Sequence, residues 1–122
     1  ETGVEASALD SVTEDNLQES AAWLRSFSRR TGAVVMLTGA MDVITDGTRT
    51  AVVRGGSAYL RRITGAGCML SVLCGAFAAV EPDALAAARH AATFWKSCAT
   101  AAAAQCRGSA SFRVALLDEA SM

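Results

Sequence analysis

The 122-residue sequence predicts an α/β fold, and three observations support this. Apolar residues recur at helical spacing over residues 14–30, and Gly32 follows as a helix stop. The continuous apolar run AVVMLTG comes next, at residues 33–39, as in a strand buried on both faces. Further along, RITGAGC joins a predicted extended segment to another helix. Helix, buried strand and strand-to-helix turn in this order are typical of doubly wound α/β proteins.

A β-hairpin is predicted for MDVITDGTRTAVV, residues 41–53. Its two short apolar runs flank Asp46 and Gly47, a dipeptide that accepts the positive φ angles of a type I′ turn. The segment AYLRRI at residues 58–63 is predicted to be extended. It leads directly into the glycine-rich turn.

Three helices are predicted for the second half of the chain. The first covers the apolar residues 68–80. The second, residues 83–105, begins behind Pro82, whose fixed φ suits a first helical turn. It is so rich in alanine that we expect it to pack closely against its neighbours. A short terminal helix is predicted within residues 111–122.

Composition narrows the class of protein. Hydrophobic residues make up 52% of the chain and charged residues 19%, so we expect a folded domain. A formal net charge of -1 gives no reason to expect nucleic acid or an anionic membrane as a partner. No apolar run reaches the roughly 20 residues that a membrane-spanning helix needs, and the first residues do not resemble a signal peptide. We therefore expect a cytoplasmic protein without a membrane span.

The four cysteines match neither zinc knuckles nor a redox CxxC motif. Cys74, Cys98 and Cys106 are predicted to be reduced and mostly buried thiols. Cys68 differs because it follows Gly65 and Gly67.

The TGAGC segment is a candidate anion-binding turn. Gly65 and Gly67 let the backbone approach a ligand closely, and a helix beginning near Cys68 points unpaired N–H groups at that ligand. The positive end of the helix dipole favours phosphate, and it also favours the thiolate of Cys68. Neither a P-loop nor a Rossmann fingerprint is present. A glycine-rich turn by itself equally fits a tight strand-to-helix connection.

The chain resembles the C-terminal half of the hydroxyethylthiazole kinases, the thiamin-salvage branch of the ribokinase-like superfamily. The resemblance rests on VVMLTGAMDVITDGTRTAVV, RITGAGCMLSVLCGAFAAV and GSASFRVALLD, in that order. Ribokinase relatives usually carry aspartate after TGAG, whereas the thiazole kinases carry cysteine, as this chain does at Cys68. The resemblance implies a three-layer αβα sandwich. Residues 1–122 would form the C-terminal half of one kinase domain, with the hairpin and flanking helices.

The resemblance also implies an activity and its residues. A hydroxyethylthiazole kinase phosphorylates the hydroxyl of 4-methyl-5-(2-hydroxyethyl)thiazole with ATP and Mg²⁺. Thr38, Gly65, Ala66 and Gly67 would bind ATP, Gly65 and Cys68 would bind the thiazole, and Cys68 would be the catalytic residue. No metal ligand in this chain is implied.

Such kinases are trimers with active sites between subunits, and their N-terminal half carries the motifs that organise Mg²⁺-ATP. We therefore expect a homotrimer or a complex with a chain that carries the N-terminal half, and no activity of this chain alone. Two alternatives remain open. One is a non-catalytic ligand-binding or structural half-domain, and the other is a kinase for another small alcohol.

Several further residues carry weaker expectations. Trp23 and Trp95 lie on predicted helices and are expected to be packing anchors. His90 is expected to be structural or at the surface, because the chain has no second histidine to share a metal. Asp42 is a weak candidate for contact with ATP or its magnesium. The arginines near the turn fit either a phosphate site or a solvated edge strand, namely Arg54, Arg61 and Arg62.

Overall fold

The computed structural model describes residues 12–122, which form two compact units that divide between Val52 and Val53. The first unit contains one helix and most of a three-stranded antiparallel sheet in the order β1-β2-β3. The second contains a 3₁₀ helix and three α-helices. The elements are α1 (Leu17–Thr31), β1 (Val35–Leu37), β2 (Asp42–Thr45), β3 (Thr50–Val53), the 3₁₀ helix (Ala58–Arg62), α2 (Ala66–Val80), α3 (Ala84–Ala103) and α4 (Ser109–Ser121).

The core of the first unit lies between α1 and the sheet. Ala21 and Leu24 project from one face of α1 into this core. Gly32 ends the helix as predicted, with a left-handed φ of 71° and its N–H donating to the carbonyl of Ser28. The buried members of the core are Val12, Ala21, Leu24, Met41 and Val43, and the residues packed against them are Leu17, Val35, Leu37 and Val52.

The two aromatic residues of α1 do not join this core. Trp23 is 57% exposed and stacks on Phe27, with 5.7 Å between ring centroids. The prediction that Trp23 is a packing anchor is therefore wrong. Its helical position places it away from the face that carries Ala21 and Leu24.

The buried strand of the sheet is β2, whereas the sequence predicted a doubly buried strand at residues 33–39. All four residues of β2 are buried, while those of β1 are only half-buried. β1 pairs with β2 in antiparallel register, with Val35 opposite Thr45 and Leu37 opposite Val43. The strand order explains the difference, because β1 is at an edge of this sheet and β2 is central.

The hairpin joining β2 and β3 is confirmed, but its predicted type I′ turn is wrong. Such a turn needs a positive φ at both central residues, and only glycines have one among residues 12–122. The connection is instead a loop of residues 46–49 closed by a side chain. One carboxylate oxygen of Asp46 accepts hydrogen bonds from the N–H groups of Thr48 (2.9 Å) and Arg49 (2.7 Å). The other oxygen pairs with the Arg49 guanidinium at 2.8 Å.

The second unit is built around α3, which contacts α2, α4 and the 3₁₀ helix. The buried face of α3 consists largely of alanines, together with Trp95. This burial confirms the predicted close packing and the anchoring role of Trp95. From α4, Phe112 and Leu116 are fully buried. The buried alanines of α3 are Ala87, Ala91, Ala92, Ala99 and Ala102.

The segment predicted to be extended at residues 58–63 is mostly a 3₁₀ helix. Ser57 initiates it, because its hydroxyl accepts a hydrogen bond from the N–H of Tyr59 at 3.2 Å and its carbonyl accepts one from Leu60 at 3.1 Å. The Tyr59 ring stacks on the buried ring of Phe112, with 5.2 Å between centroids. Side-chain capping and this stacking together override the strand propensity of AYLRRI.

All four cysteines are free thiols, as predicted. The predicted burial is confirmed for Cys98, whereas Cys74 and Cys106 are only half-buried, and Cys68 is exposed. Burial raises the pKa of the Cys98 thiol, and the charge of Glu119 raises it further. Among the described helices, none combines the length and apolar character needed to cross a membrane.

The Asp46 loop predicts a specific acid sensitivity. Its backbone hydrogen bonds to Thr48 and Arg49, and then the Arg49 side chain, lower the pKa of the Asp46 carboxyl from 3.8 to about 2. Because the folded-state pKa is depressed, the carboxylate stabilises the loop above pH 3.8, and this contribution is lost as the pH falls through about 2. NMR titration of the carboxyl carbon should give a midpoint near 2.

The Asp46→Asn variant is the matched control, because it keeps an acceptor oxygen but does not titrate. The difference in unfolding free energy between wild type and Asp46→Asn should shrink as the pH is lowered from 3.8 to 2. A carboxyl midpoint at or above 3.8 contradicts the described loop geometry.

Candidate functional site

The glycine-rich turn connects the 3₁₀ helix to α2. Ile63 is extended, with φ -119° and ψ 146°. Gly65 then takes a left-handed φ of 89°, which side chains with a Cβ rarely adopt, and α2 begins at Ala66. The helix therefore starts two residues before its predicted start at Cys68. Its first turn closes where the N–H of Met69 donates to the carbonyl of Gly65 at 2.9 Å.

The first turn of α2 leaves its backbone donors available. The N–H groups of Ala66, Gly67 and Cys68 precede the first intrahelical hydrogen bond. No side chain within residues 12–122 caps this end, and its first turn contains no acidic residue. By contrast, the carboxylate of Asp83 accepts a hydrogen bond from an N–H of α3 at 3.1 Å. The positive end of the α2 dipole is thus uncompensated within the described chain.

Space is open beside this end of the helix. A Cβ added to Gly65 or to Gly67 would meet no atom within 4 Å. The two glycines differ in their backbones, because Gly65 has a left-handed φ whereas Gly67 does not. Packing within the described chain therefore gives no reason for glycine at position 67. A ligand held close to the backbone would require glycine at this position.

Two arginines end the 3₁₀ helix just before the turn, Arg61 and Arg62, and both are exposed. The Arg62 guanidinium lies over the Tyr59 ring, 5.1 Å from its centroid. Because Tyr59 itself stacks on buried Phe112, this cation is held by a ring of restricted mobility. Positive charge therefore precedes the turn, as the sequence allowed.

The predicted site residues fall into both units. Gly65, Ala66, Gly67 and Cys68 come together in one helical turn of the second unit, with Gly67 and Cys68 exposed. Thr38 follows β1 in the first unit and is exposed.

Asp42 has a structural role in the turn after β1. It is 3% exposed, and its carboxylate accepts a hydrogen bond from the N–H of Gly39 at 3.0 Å. His90 is exposed on α3, in agreement with its predicted surface role. No group of three or more histidine, cysteine or acidic side chains suited to a metal occurs in the part of the chain that the structure describes.

Sequence reasoning missed side chains that hold the segment leading to the turn. The sequence predicts an extended segment at Tyr59, and this prediction does not include its stacking on Phe112. Lys96 was also missed, although it is only 5% exposed and its aliphatic stem lies 3.2 Å from the position of a Cβ on Gly56. The hydroxyl of Thr100 donates to the Gly56 carbonyl at 3.4 Å. The sequence signal for a buried Lys96 was its position as a lone lysine among the apolar residues of α3.

The proteins that this chain resembles identify its family. The profile of the hydroxyethylthiazole kinase family matches residues 2–122. The chain belongs to the hydroxyethylthiazole kinase family. A hydroxyethylthiazole kinase of Desulforudis audaxviator is 50% identical over 91 residues, which cover 75% of this chain and 33% of that protein. One from Roseiflexus sp. is 41% identical over 117 residues, which cover 96% of this chain and 43% of that protein.

A solved structure gives the same assignment. The hydroxyethylthiazole kinase protein of Pyrococcus horikoshii OT3 superposes with a TM-score of 0.83 at 34% identity, covering 88% of this chain and 42% of that one. The predicted fold class, α/β of the ribokinase-like type, is confirmed by this likeness and by the mixed helices and sheet. The chain spans between a third and a little under half the length of these relatives.

Gly67→Ala separates a ligand-binding role of the turn from a folding role. The added methyl group meets nothing within 4 Å, so the free energy of unfolding should stay the same or rise by about 0.5 kcal/mol. A phosphate held against the backbone would clash with it, so ATP affinity measured by calorimetry should fall about tenfold or more.

Gly65→Ala is the matched comparison. Its left-handed φ of 89° should make this variant less stable by about 1–2 kcal/mol. Unchanged ATP affinity in a folded Gly67→Ala protein would show that no ligand approaches the turn closely.

Proposed function

We propose that this chain contributes the phosphate-binding turn and Cys68 to a hydroxyethylthiazole kinase. The reaction is transfer of the γ-phosphoryl group of ATP to the hydroxyl of 4-methyl-5-(2-hydroxyethyl)thiazole. The observation that carries the proposal is the uncapped first turn of α2, residues 65–68, with an exposed thiol. Family membership of the chain supports this assignment.

The turn acts by positioning and electrostatics. The hydroxyl oxygen of the alcohol forms a new bond to the γ-phosphorus, and the bond from that phosphorus to the β–γ bridging oxygen breaks as ADP leaves. The N–H groups of Ala66, Gly67 and Cys68 would donate to the oxygens of the transferring group. Fixed donors at a helix N-terminus offset that charge without reorganising during the reaction. Phosphoryl transfer depends mainly on such effects.

Cys68 would serve the acceptor alcohol. Its side chain projects from the first turn of α2 and is exposed. Cys68 would act either as a weak base that accepts the hydroxyl proton or through a hydrogen bond between its sulfur and the hydroxyl group. A weak base is sufficient here, because a loose transition state requires little deprotonation of the nucleophile before attack.

Mg²⁺ accompanies ATP in this proposal, but the described residues contain no cluster of three ligands. We place the metal-binding carboxylates on the N-terminal part of the kinase. This part would meet the present chain in a homotrimer or in a complex with a second chain. The assembly would be cytoplasmic. The chain alone would then be inactive.

The direct test is turnover by a reconstituted complex. This chain is combined with the N-terminal part of the Desulforudis audaxviator enzyme, and ADP formation is measured with and without the thiazole alcohol. Stimulation by the alcohol is expected. ATP binding without turnover favours the non-catalytic half-domain, and stimulation by another alcohol in a substrate panel favours a kinase of different specificity.

Substitution of Cys68 tests its part in the chemistry. Cys68→Asp should keep or raise the rate, because a carboxylate is also a base. Cys68→Ala should lower kcat by about 100-fold, which is the lower end of the usual contribution of a positioned general base. Cys106→Ala is the control, since that thiol is half-buried outside the turn. Equal rates for wild type and Cys68→Ala would remove Cys68 from the mechanism.

A further inference from the structure

The segment around the glycine-rich turn carries charge of one sign only. Residues 54–80 contain three arginines and no acidic residue, although the whole chain has 12 acidic residues and 11 lysines and arginines. Two of these arginines, Arg61 and Arg62, end the 3₁₀ helix that leads into the turn. The first turn of α2 adds the positive end of its helix dipole. This concentration of positive charge favours an anionic ligand at the segment.

Arg62 differs from Arg61 in how its side chain is held. The Arg62 guanidinium lies 5.1 Å from the centroid of the Tyr59 ring, whereas Arg61 has no ring contact in the part of the chain that the structure describes. Tyr59 in turn stacks on Phe112, which is fully buried. A side chain that is ordered before its ligand arrives loses less conformational freedom on binding. Arg62 is therefore better prepared than Arg61 to bind an anion.

The hydrogen-bond donors of Arg62 are unused within residues 12–122. No carboxylate in this range pairs with Arg62, and its guanidinium donates no hydrogen bond there. The residue is also exposed. A guanidinium has five N–H donors in a planar fork, and this geometry matches two oxygens of a phosphate group. An exposed cation with unused donors, ordered on an aromatic ring, is suited to bind phosphate.

The position of Arg62 indicates which part of a ligand it would contact. Arg62 precedes Gly65 by three residues, and three residues of backbone span at most about 11 Å. In the proposed function, the first N–H groups of α2 hold the γ-phosphoryl group, so the remaining phosphates extend away from the turn. The thiazole alcohol is not phosphorylated before the reaction. The nucleotide is therefore the ligand that can reach both the turn and Arg62 with phosphate oxygens.

We propose that Arg62 binds the polyphosphate of the nucleotide next to the group held at the turn, and that Tyr59 is the positioning residue of Arg62. The inference deepens the proposed function and rests on it. Arg62 adds a bidentate contact to phosphate oxygens that the backbone N–H groups of α2 do not hold. Tyr59 acts only through Arg62, by keeping the guanidinium ordered.

Binding of inorganic tripolyphosphate to the chain tests the role of Arg62. Calorimetry at low ionic strength compares wild type, Arg62→Ala and Arg61→Ala. Arg62→Ala should weaken binding about tenfold, as expected for the loss of a hydrogen-bonded charged group. Arg61→Ala is the matched control, because it removes the same charge from an adjacent exposed position. It should weaken binding by less than about threefold.

Variants of Tyr59 separate a positioning role from a role in folding. Tyr59→Phe keeps the aromatic ring and should retain the wild-type affinity. Tyr59→Leu removes the ring and should weaken binding about threefold. The same change should have no further effect in a chain that already carries Arg62→Ala. Rescue by phenylalanine and the missing effect in the double variant are not expected of a residue that only supports the fold.

A spectroscopic measurement reports on Arg62 directly. In the ¹⁵N-labelled chain, the Nε–H signal of Arg62 should shift on addition of tripolyphosphate and saturate together with the backbone amides of Ala66, Gly67 and Cys68. The Nε–H signal of Arg61 should shift less.

The outcomes distinguish this inference from the proposed function. Equal weakening by Arg61→Ala and Arg62→Ala overturns the inference, because only the summed charge would then matter. Binding at the turn amides that Arg62→Ala leaves unchanged also overturns it, while the proposed function stands. Absence of saturable binding by the wild type contradicts both. Binding that depends on Arg62, together with a reconstituted kinase that does not turn over ATP, contradicts the proposed function and leaves this phosphate contact standing.

Discussion

The second unit depends on close packing against the alanine face of α3. Small buried side chains such as Ala91 and Ala99 let α2, α4 and the 3₁₀ helix approach the α3 backbone. Larger side chains at such positions typically cost about 1–3 kcal/mol through overpacking. Because α2 and the 3₁₀ helix both rest on α3, the segment that joins them has a defined length and direction. That segment is the glycine-rich turn.

Local interactions in the second unit determine which backbone groups the glycine-rich turn exposes. Tyr59 on Phe112 holds the end of the 3₁₀ helix, and Phe77 beside Phe94 holds α2. Gly65 lies between them with a left-handed φ. The result is a helix N-terminus whose first N–H groups have no cap within residues 12–122. A donor set held in place before the ligand arrives is what electrostatic catalysis of phosphoryl transfer requires.

The sequence predicted the turn well because its signals are local. Gly65, Gly67 and the onset of helical periodicity near Cys68 lie within a few residues of one another, although the segment before them is a 3₁₀ helix and not a strand. The sheet was predicted less well because strand order is not local: β2 is central and buried, whereas the more continuously apolar run forms β1 at an edge. The prediction of a type I′ hairpin turn failed for a different reason. The Asp46 carboxylate closes a four-residue loop through hydrogen bonds to backbone N–H groups. The preference of the Asp-Gly dipeptide for a type I′ turn does not take such side-chain hydrogen bonds into account.

Helix packing was also only partly predictable. Phe27 lies three residues after Leu24, at the helical spacing of the core face of α1, but its ring stacks on Trp23 at the surface. The apolar character of α2 was evident, whereas its exposed face was visible only once its packing partners were known. Hydrophobic periodicity in a sequence indicates which residues share one face of a helix. Which element packs against that face is known only from the structure.

The most direct test of the account is an NMR titration of the ¹⁵N-labelled chain with inorganic tripolyphosphate at low ionic strength. We expect the amide signals of Ala66, Gly67 and Cys68 to shift most and to saturate together, since their N–H groups would bind the anion. Shifts centred on other residues, or no saturable shift at these three amides, would contradict the phosphate-binding turn.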